Sequence, residues 1–535
     1  MSPATRRSLT LVVFAGAVLR FVPIWFGLPY PQARPDEEVA IGRALAALNG
    51  DLNPHFFHWP SLTFYVFAGV LGAASGVRDL FGADAPVTFS EHALLTRGAV
   101  ALFGTLTILV LFRLGQRIAG DAVGLLAAAL LAVALLHVRE SHFAMTDVLM
   151  TLLLWISLAL VITAPSAGRG EPPSRADAIV CGWAGLAGGL ATSTKYNAAA
   201  VVVAMVATQI VWVWQRPSSV FVWRTWLPTV AFGGAFAIGF LAGTPYAVLD
   251  YPKFSEDLRY DFTHLSGGHM DIYLGRGWFY HATHSLPYGA GIATCVAALV
   301  GLLPFARRHG RAAVVLGSFA TVFYLVVGSG YTVFFRYVLP LIPLLCLLAA
   351  FGVTAASRWL ARHAQVADGL AVALIGALTI APGLVYAVWF DVLLARTDTR
   401  VLAGDWLTPR LSPGTTLHDA GGPYTRLDLW RVKVARSEFD SGRRAFTDGE
   451  LPEWLVLQSS LLHAYASTPP ALANLARERY VLGYEVEGRR RGRSGVYDQQ
   501  DAFFVPFSRF QDVARPGPTI TIYRRADLPP LPRDP

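Results

Sequence analysis

Residues 6–28 read RRSLTLVVFAGAVLRFVPIWFGL, two arginines followed by an apolar run from Leu9 to Leu28. A run of this length can cross the hydrocarbon core of a bilayer as one α-helix. No small-residue cleavage site follows it, so we interpret it as a first transmembrane helix with a cytoplasmic N-terminus, not as a cleaved signal peptide.

The same pattern recurs along the chain. Hydrophobic residues make up 54% of the 535 residues and charged residues only 15%, against about 25% charged in soluble domains. Further apolar runs lie near residues 93–112, 122–138, 145–164, 178–192, 198–214, 227–242, 286–305, 312–327, 338–355 and 370–390. Together with the first run, they predict a polytopic α-helical membrane protein with about eleven transmembrane helices.

Arginines in the connectors decide the orientation. Arginine-rich connectors face the cytoplasm. All the arginine-rich connectors of this chain fall on that side if the apolar segment 59–76 does not cross the membrane. We therefore expect segment 59–76 to be a juxtamembrane helix in a first external loop, residues 29–91. The orienting arginines are Arg113, Arg117, Arg169, Arg175, Arg216, Arg224, Arg307, Arg308, Arg311, Arg358 and Arg362.

The composition changes after the last apolar run. Residues 395–535 are polar and rich in Pro, Gly and Arg, with short strand-like runs near 454–458 and 519–523. We predict a transmembrane domain over residues 1–394, with a second external loop at 247–285, and a small extracytoplasmic α/β domain over residues 395–535.

No separate stripe of basic residues stands apart from the apolar segments, so nucleic acid is not an expected partner. The cysteines all lie inside apolar runs, which disfavours disulfides and thiolate metal sites.

Polar residues beside the spans collect on the side predicted to be external. Ionisable groups at membrane depth are costly and usually line a cavity, so we expect one hydrophilic cavity that opens outward. A carboxylate there could act as general base on a hydroxyl, and clustered cations could hold a phosphate as it leaves. With an apolar flank for a lipid tail, this chemistry fits sugar transfer from a lipid phosphate. The charged candidates are Asp36, Glu37, Asp147, Arg20, Arg97, Arg139, Lys195 and Arg336.

An ordered series of motifs resembles the bacterial family-39-like branch of the C-type (GT-C) membrane glycosyltransferases. That superfamily includes protein O-mannosyltransferases and lipid A aminoarabinose transferases. The likeness covers roughly the first 400 residues. Its motifs are RPDEE at 34–38, HFFHWPSL at 55–62, RESHFAMTD at 139–147, GLATSTKYN at 189–197 and FRYVLPLIP at 335–343.

The resemblance implies an inverting transfer of one sugar from a polyprenyl-phosphate donor to an extracytoplasmic lipid, glycan or protein hydroxyl, at the bacterial inner membrane. It places the general base at Asp36. It makes Asp147 the partner that orients the acceptor, a nearby basic residue or, in some members, a divalent cation. It assigns the donor phosphate to Lys195 and Arg336.

The same motifs supply the remaining candidates. We expect Glu37 to assist catalysis and Arg139 to contact the donor phosphate. No cofactor is expected with certainty, and the need for a metal is left open; the candidate ligands of a divalent cation are Asp36, Asp147, His55 and His58. The expected substrate-binding residues are His58, His142, Tyr196 and Asn197.

Each candidate has an ordinary structural alternative. Asp36 and Asp147 could be helix N-caps, Lys195 could extend to the membrane surface, and Arg336 beside Tyr337 could be an interfacial anchor.

The alternative function is a polytopic transporter or lipid flippase. Transporters, however, place their charges near the midplane with access from both sides, whereas these charges cluster at the outer end. The sequence leaves the sugar and the acceptor open.

Overall fold

The computed structural model describes residues 1–82, 85–164, 173–490, 492 and 494–529. Arg169, one of the orienting arginines, lies outside the described residues. The chain forms two compact units, one comprising Met1–Ile24 and Val39–Val388, the other Trp25–Glu38 and Trp389–Pro535. The acidic stretch that contains Asp36 therefore belongs to the second unit.

The part of the chain before residue 395 is helical. Short 3-10 turns at Tyr196–Ala200, Pro217–Phe221, Trp223–Trp226 and Phe335–Leu341 and a π turn at His281–Ser285 interrupt the helices. The α-helices are Pro3–Phe21, Glu37–Leu48, Leu62–Leu80, Phe89–Ala119, Asp121–Ala132, Leu135–Glu140, Asp147–Ile162, Arg175–Thr192, Val201–Gln215, Leu227–Gly243, Tyr246–Leu249, Tyr251–Gly267, Gly277–Tyr280, Leu286–Ala290, Ile292–Arg308, Gly310–Val327, Ile342–Ala364 and Asp368–Leu394.

Within the described residues, six helical segments are long and apolar enough to cross a membrane. A bent pair, Gly277–Ala290 and Ile292–Arg308, gives a seventh if it counts as one span. Two shorter apolar helices, Asp121–Ala132 and Asp147–Ile162, coincide with predicted spans. The polytopic membrane architecture is thus confirmed, while the number of eleven spans stays a prediction. The six segments are Phe89–Ala119, Tyr196–Gln215, Trp223–Gly243, Gly310–Val327, Phe335–Ala364 and Asp368–Arg410.

The first helix is shorter than the apolar run that predicted it. It ends at Phe21, and Val22 adopts an extended conformation with φ −118° and ψ 119°. Proline restricts the residue before it to extended backbone and removes a donor, so Pro23 accounts for the early end. From Trp25 onward the run folds into turns of the second unit, where the ring of Phe26 packs edge-on against Phe503 at 5.9 Å.

Arg20, near the end of this helix, is fully buried and closes the end of another helix. Its guanidinium donates to the carbonyl oxygens of Leu131 and Ala132, both at 3.0 Å, in the last turn of Asp121–Ala132. The final carbonyls of a helix lack intrahelical partners and carry partial negative charge. Arg20, expected among the cavity cations, therefore has a helix-capping role.

Glycines bring two helices of the first unit into close contact. A Cβ atom at Gly185 would lie 2.1 Å from the carbonyl oxygen of Phe232, and one at Gly189 would lie 2.1 Å from that of Phe236. Small residues allow helix backbones to approach closely in membranes. The contact between Arg175–Thr192 and Leu227–Gly243 fixes the helix end from which Lys195 emerges.

The second unit contains a five-stranded mixed sheet in the order Ala435–Arg436, Thr416–Asp419, Trp454–Ser459, Thr519–Arg525, Tyr480–Val486. The first two pairings are parallel and the last two antiparallel. Side chains alternate between the two faces of a strand: Val456 packs with a cluster that includes helix Thr399–Leu407, and Leu455 with one that includes helix Pro470–Arg479. A separate pair, Phe439–Asp440 and Ala445–Phe446, is antiparallel. The predicted small α/β region is confirmed; its location outside the cell stays a prediction.

Buried cations tie residues Trp25–Glu38 into the second unit. Arg34 donates to Asp501 at 2.8 Å, with side chains 0% and 3% exposed. Arg400 donates to the carbonyl oxygen of Tyr424 at 2.8 Å and lies 4.5 Å from the ring centre of Tyr30. The chain segment that leads to Asp36 is therefore held in place by charged contacts that are shielded from water.

We expect Asp501→Ala to destabilise the second unit strongly, because it leaves the charge of Arg34 buried without this partner. Breaking a buried ion pair costs about 3–5 kcal/mol. The control is Asp527→Ala, whose carboxylate pairs with Arg525 but is 69% exposed and should cost about 1 kcal/mol or less. Melting curves of the purified proteins in detergent measure both. Equal melting temperatures for the two variants would contradict this role of the Arg34–Asp501 pair.

Candidate active site

The first unit contains a buried ion pair between two candidate residues. The ammonium nitrogen of Lys195 donates to Oδ1 of Asp147 at 2.6 Å, and the side chains are 17% and 1% exposed. Asp147 begins helix Asp147–Ile162, and Lys195 precedes the turn Tyr196–Ala200. The other carboxylate oxygen of Asp147 is buried and has no hydrogen-bond partner among the described residues. The pair thus retains an unused acceptor.

Two further candidate cations surround this pair. Arg336, 8% exposed, interacts electrostatically with Lys195, as does Glu140. Arg139 in turn contacts the carboxylate of the buried Glu140. The structure therefore brings the predicted Asp147, Lys195, Arg336 and Arg139 into one cluster.

Glu140 received no role from the sequence, yet it is a member of this cluster. In the sequence, only its position next to Arg139 in the RESH motif indicated that Glu140 could belong to the site. With Glu140 counted, the cluster holds three cations, Arg139, Lys195 and Arg336, and two carboxylates, Asp147 and Glu140. Among these five side chains the cations outnumber the carboxylates by one, an arrangement that favours an anionic ligand.

Aromatic rings complete the surroundings of the cations. The Lys195 ammonium lies 4.9 Å from the ring centre of Tyr337, and the Arg336 guanidinium lies 4.1 Å from that of Phe334. Such cation–π contacts stabilise charge with few competing hydrogen bonds. The two rings therefore stabilise the cationic side of the cluster.

The predicted substrate-binding residues Tyr196 and Asn197 differ in their contacts. The Tyr196 hydroxyl donates to the carbonyl oxygen of Phe57 at 2.7 Å, which ties the turn after Lys195 to the motif at residues 55–62. Oδ1 of Asn197 is buried and has no partner within the described part of the chain. Tyr196 thus holds the turn after Lys195 in place, whereas Asn197 retains an oxygen that can accept a hydrogen bond from a ligand.

His58 is held by helix Tyr251–Gly267 of the loop predicted at 247–285. Its Nδ1 lies 2.9 Å from Oδ1 of Asp261, and its Nε2 lies 3.8 Å from Asp257. The hydrogen bond with Asp261 raises the pKa of His58 above its usual value. Burial raises the pKa of Asp261, so burial opposes the charge on Asp261 although the contact with His58 favours it.

The loop predicted at 247–285 contains helix Tyr251–Gly267, whose acidic residues hold the first loop. Asp257 accepts a hydrogen bond from the backbone N–H of Phe57 at 2.7 Å. Asp257 and Asp261 are four residues apart, the spacing that places side chains on one helix face. This spacing was a usable signal that the sequence analysis missed.

His142 and His55 have different surroundings, and the roles predicted for them stay predictions. His142 is fully buried, with ring nitrogens 2.9 Å and 3.2 Å from the carbonyl oxygens of Val138 and Val22, so its contacts are to backbone. His55 is 59% exposed and lies 3.7 Å from Asp51. Among the described residues, no group of three or more His, Cys, Asp or Glu side chains could hold a metal ion. The residues present therefore give no basis for a step that uses a divalent cation.

Asp36, described in the second unit, has an unusual backbone. Its φ is +75°, in the left-handed region, whereas an N-cap residue normally has extended backbone. Such a conformation costs about 1–3 kcal/mol and concentrates at functional sites. Glu37, which begins the next helix, is fully buried, and burial, reinforced by the charge of Asp36, raises the pKa of Glu38. Ordinary helix capping does not account for this geometry.

Comparison with known proteins identifies a matching domain and a shared fold. Residues 69–254 match the family model described as dolichyl-phosphate-mannose-protein mannosyltransferase. No protein of curated function matches the chain. ArnT from Cupriavidus metallidurans, solved with undecaprenyl phosphate, has a similar fold at a TM-score of 0.50 and 16% identity, over 98% of this chain and 99% of ArnT.

A second solved relative is the oligosaccharyltransferase AglB from Archaeoglobus fulgidus, in complex with an inhibitory peptide and a dolichol-phosphate. Its TM-score is 0.50 at 13% identity, over 76% of this chain. The match spans only 58% of the length of AglB. The resemblance to C-type membrane glycosyltransferases is thus confirmed, by a mannosyltransferase-family domain at residues 69–254 and by a fold shared with ArnT and AglB.

Proposed function

We propose that this protein is an inverting glycosyltransferase of the bacterial inner membrane, with its C-terminal unit outside the cytoplasm. It moves one sugar from a polyprenyl-phosphate donor to a hydroxyl group of an extracytoplasmic acceptor. The observation that carries the proposal is the buried cluster around the Asp147–Lys195 pair, with its excess positive charge. The polyprenyl phosphates held by the solved ArnT and AglB structures support this choice of donor.

Lys195, Arg336 and Arg139 bind the donor phosphate. A lysine ammonium has three donor hydrogens, and Lys195 uses one for Asp147, which leaves two for phosphate oxygens. Charge-assisted hydrogen bonds to phosphate are about twice as strong as neutral ones. As the bond between the sugar and the phosphate breaks, negative charge grows on the leaving phosphate, and these cations stabilise it.

Asp36 acts as the general base. It removes the proton of the acceptor hydroxyl while the hydroxyl oxygen attacks the anomeric carbon from the side opposite the phosphate, so the configuration inverts and polyprenyl phosphate leaves. General-base catalysis contributes about 10²–10⁴-fold to a rate. The strained backbone at Asp36 and the fixed approach through Arg34 support this role, because both hold the carboxylate in one position.

The remaining candidates position the reactants. Glu37, buried at the start of its helix, supports the Asp36 backbone. The unused oxygen of Asp147 and the unused Oδ1 of Asn197 accept hydrogen bonds from sugar or acceptor hydroxyls. His58 is held against Asp261 and lines the first loop beside them.

We expect Asp36→Asn to reduce sugar transfer by at least about 100-fold, because the amide keeps the shape but cannot accept the proton. The assay uses purified protein in detergent, a synthetic polyprenyl-phosphate sugar and acceptor-containing envelope extract from a deletion strain. The control is Asp51→Asn in the same loop, a carboxylate that is 56% exposed and should leave transfer unchanged. Full activity in Asp36→Asn would disprove the general-base role.

We expect Lys195→Ala to weaken binding of undecaprenyl phosphate by about 10–100-fold, the effect of losing one hydrogen bond to a charged group. Lys195→Arg keeps the charge and should bind more tightly than Lys195→Ala, which guards against misfolding of the alanine variant. Lys433→Ala, an exposed lysine of the second unit, is the control. Titration of the lipid phosphate measures all three, and unchanged affinity in Lys195→Ala would remove Lys195 from the phosphate site.

A further inference from the structure

A second cationic feature lies away from the candidate active site, at the arginine-rich end of two helices. Here a cavity of about 350 Å³ is lined by the ends of Ile292–Arg308 and Ile342–Ala364. Arg308 comes from the first helix and Arg358 and Arg362 from the second. Arg358 and Arg362 are four residues apart and so share one helix face. Three guanidinium groups therefore border one concavity.

No counter-charge accompanies these arginines. The lining contains His309 and His363 as further basic groups and no Asp or Glu among the described residues. All three arginines are exposed and so accessible to a ligand. Like charges around one cavity repel one another, and an anion between them removes that repulsion.

Orientation and helix dipoles account for basic residues at this end but not for their convergence. Arginines on the cytoplasmic side set topology wherever they lie, and cations in a last helical turn complement the dipole. Neither effect requires a cavity. Arg307 shows the difference, because it is adjacent to Arg308 and exposed but does not line the cavity.

The inner wall of the cavity is apolar. Val123, Pro304 and Phe351 contribute to it, and the Phe351 ring lies 5.3 Å from that of His309. At the rim, Trp359 is 62% exposed and stacks on His363 at 4.7 Å. Tryptophan prefers the headgroup level of a membrane. A cationic rim above an apolar wall fits a ligand that has a phosphate joined to a hydrocarbon chain.

We infer that this cavity binds the headgroup phosphate of an anionic glycerophospholipid, with Arg308, Arg358 and Arg362 as the phosphate contacts and the apolar wall against the first part of an acyl chain. Basic pockets between transmembrane helices on the cytoplasmic side bind anionic headgroups in this way. The site is separate from Asp147 and Lys195, and it does not depend on the proposed sugar transfer.

The test compares binding of phosphatidylglycerol and phosphatidylcholine to delipidated full-length protein by native mass spectrometry. The triple variant R308Q/R358Q/R362Q should lose about 100-fold in affinity for phosphatidylglycerol, and R358Q alone should show an intermediate loss. The matched control R216Q/R224Q/R307Q removes three exposed arginines outside the cavity and should bind as the wild type does. Melting temperatures measured without lipid verify that all variants are folded.

Two results would overturn the proposal. One is equal phosphatidylglycerol affinity in the wild type, the triple variant and the matched control. The other is a wild type that binds phosphatidylcholine as tightly as phosphatidylglycerol. A parallel titration with inorganic phosphate and glycerol phosphate separates the possible sources of the phosphate. Weak binding of these soluble anions supports the lipid, whereas binding as tight as that of phosphatidylglycerol would replace the lipid with a free phosphate.

Discussion

The cost of placing charge away from water governs both units of this protein. An unpaired buried ion costs several kcal/mol, and pairing it restores part of that cost. In the first unit, Lys195 pairs with Asp147 and Arg139 contacts Glu140. In the second, Arg34 pairs with Asp501. The Lys195–Asp147 and Arg34–Asp501 pairs each join distant segments of their own unit and so hold the candidate residues there in place.

The same constraint explains how a site built from ion pairs can bind a phosphate. Among the five charged side chains of the cluster around Lys195, the cations outnumber the carboxylates by one, which favours an anionic ligand. The proposed polyprenyl-phosphate donor would supply that anion with its hydrocarbon chain still in the membrane. The unused oxygen of Asp147 remains as an acceptor for a hydroxyl.

Much of the fold and of the candidate site could be predicted from the sequence, and the features that could not have physical reasons. Hydropathy and charge placement predicted the helical membrane architecture. The motifs predicted that one site contains Asp147, Lys195, Arg336 and Arg139. The early end of the first helix was also readable from Pro23. The pairing of Arg34 with Asp501 was not, because 467 positions separate the two residues and no local pattern links them. The backbone contacts of Arg20 and His142 depend on helix packing, which composition alone does not specify.

The chemical fate of the donor in proteoliposomes tests the proposed sugar transfer most directly. Purified wild-type protein is supplied with a labelled polyprenyl-phosphate sugar and with acceptor-containing envelope extract, and the lipids and glycans are quantified by mass spectrometry. Sugar transfer predicts that free polyprenyl phosphate and glycosylated acceptor accumulate in equal amounts. Movement of the intact donor between leaflets, with no cleavage of its sugar–phosphate bond, would contradict the account and indicate a transporter or lipid flippase.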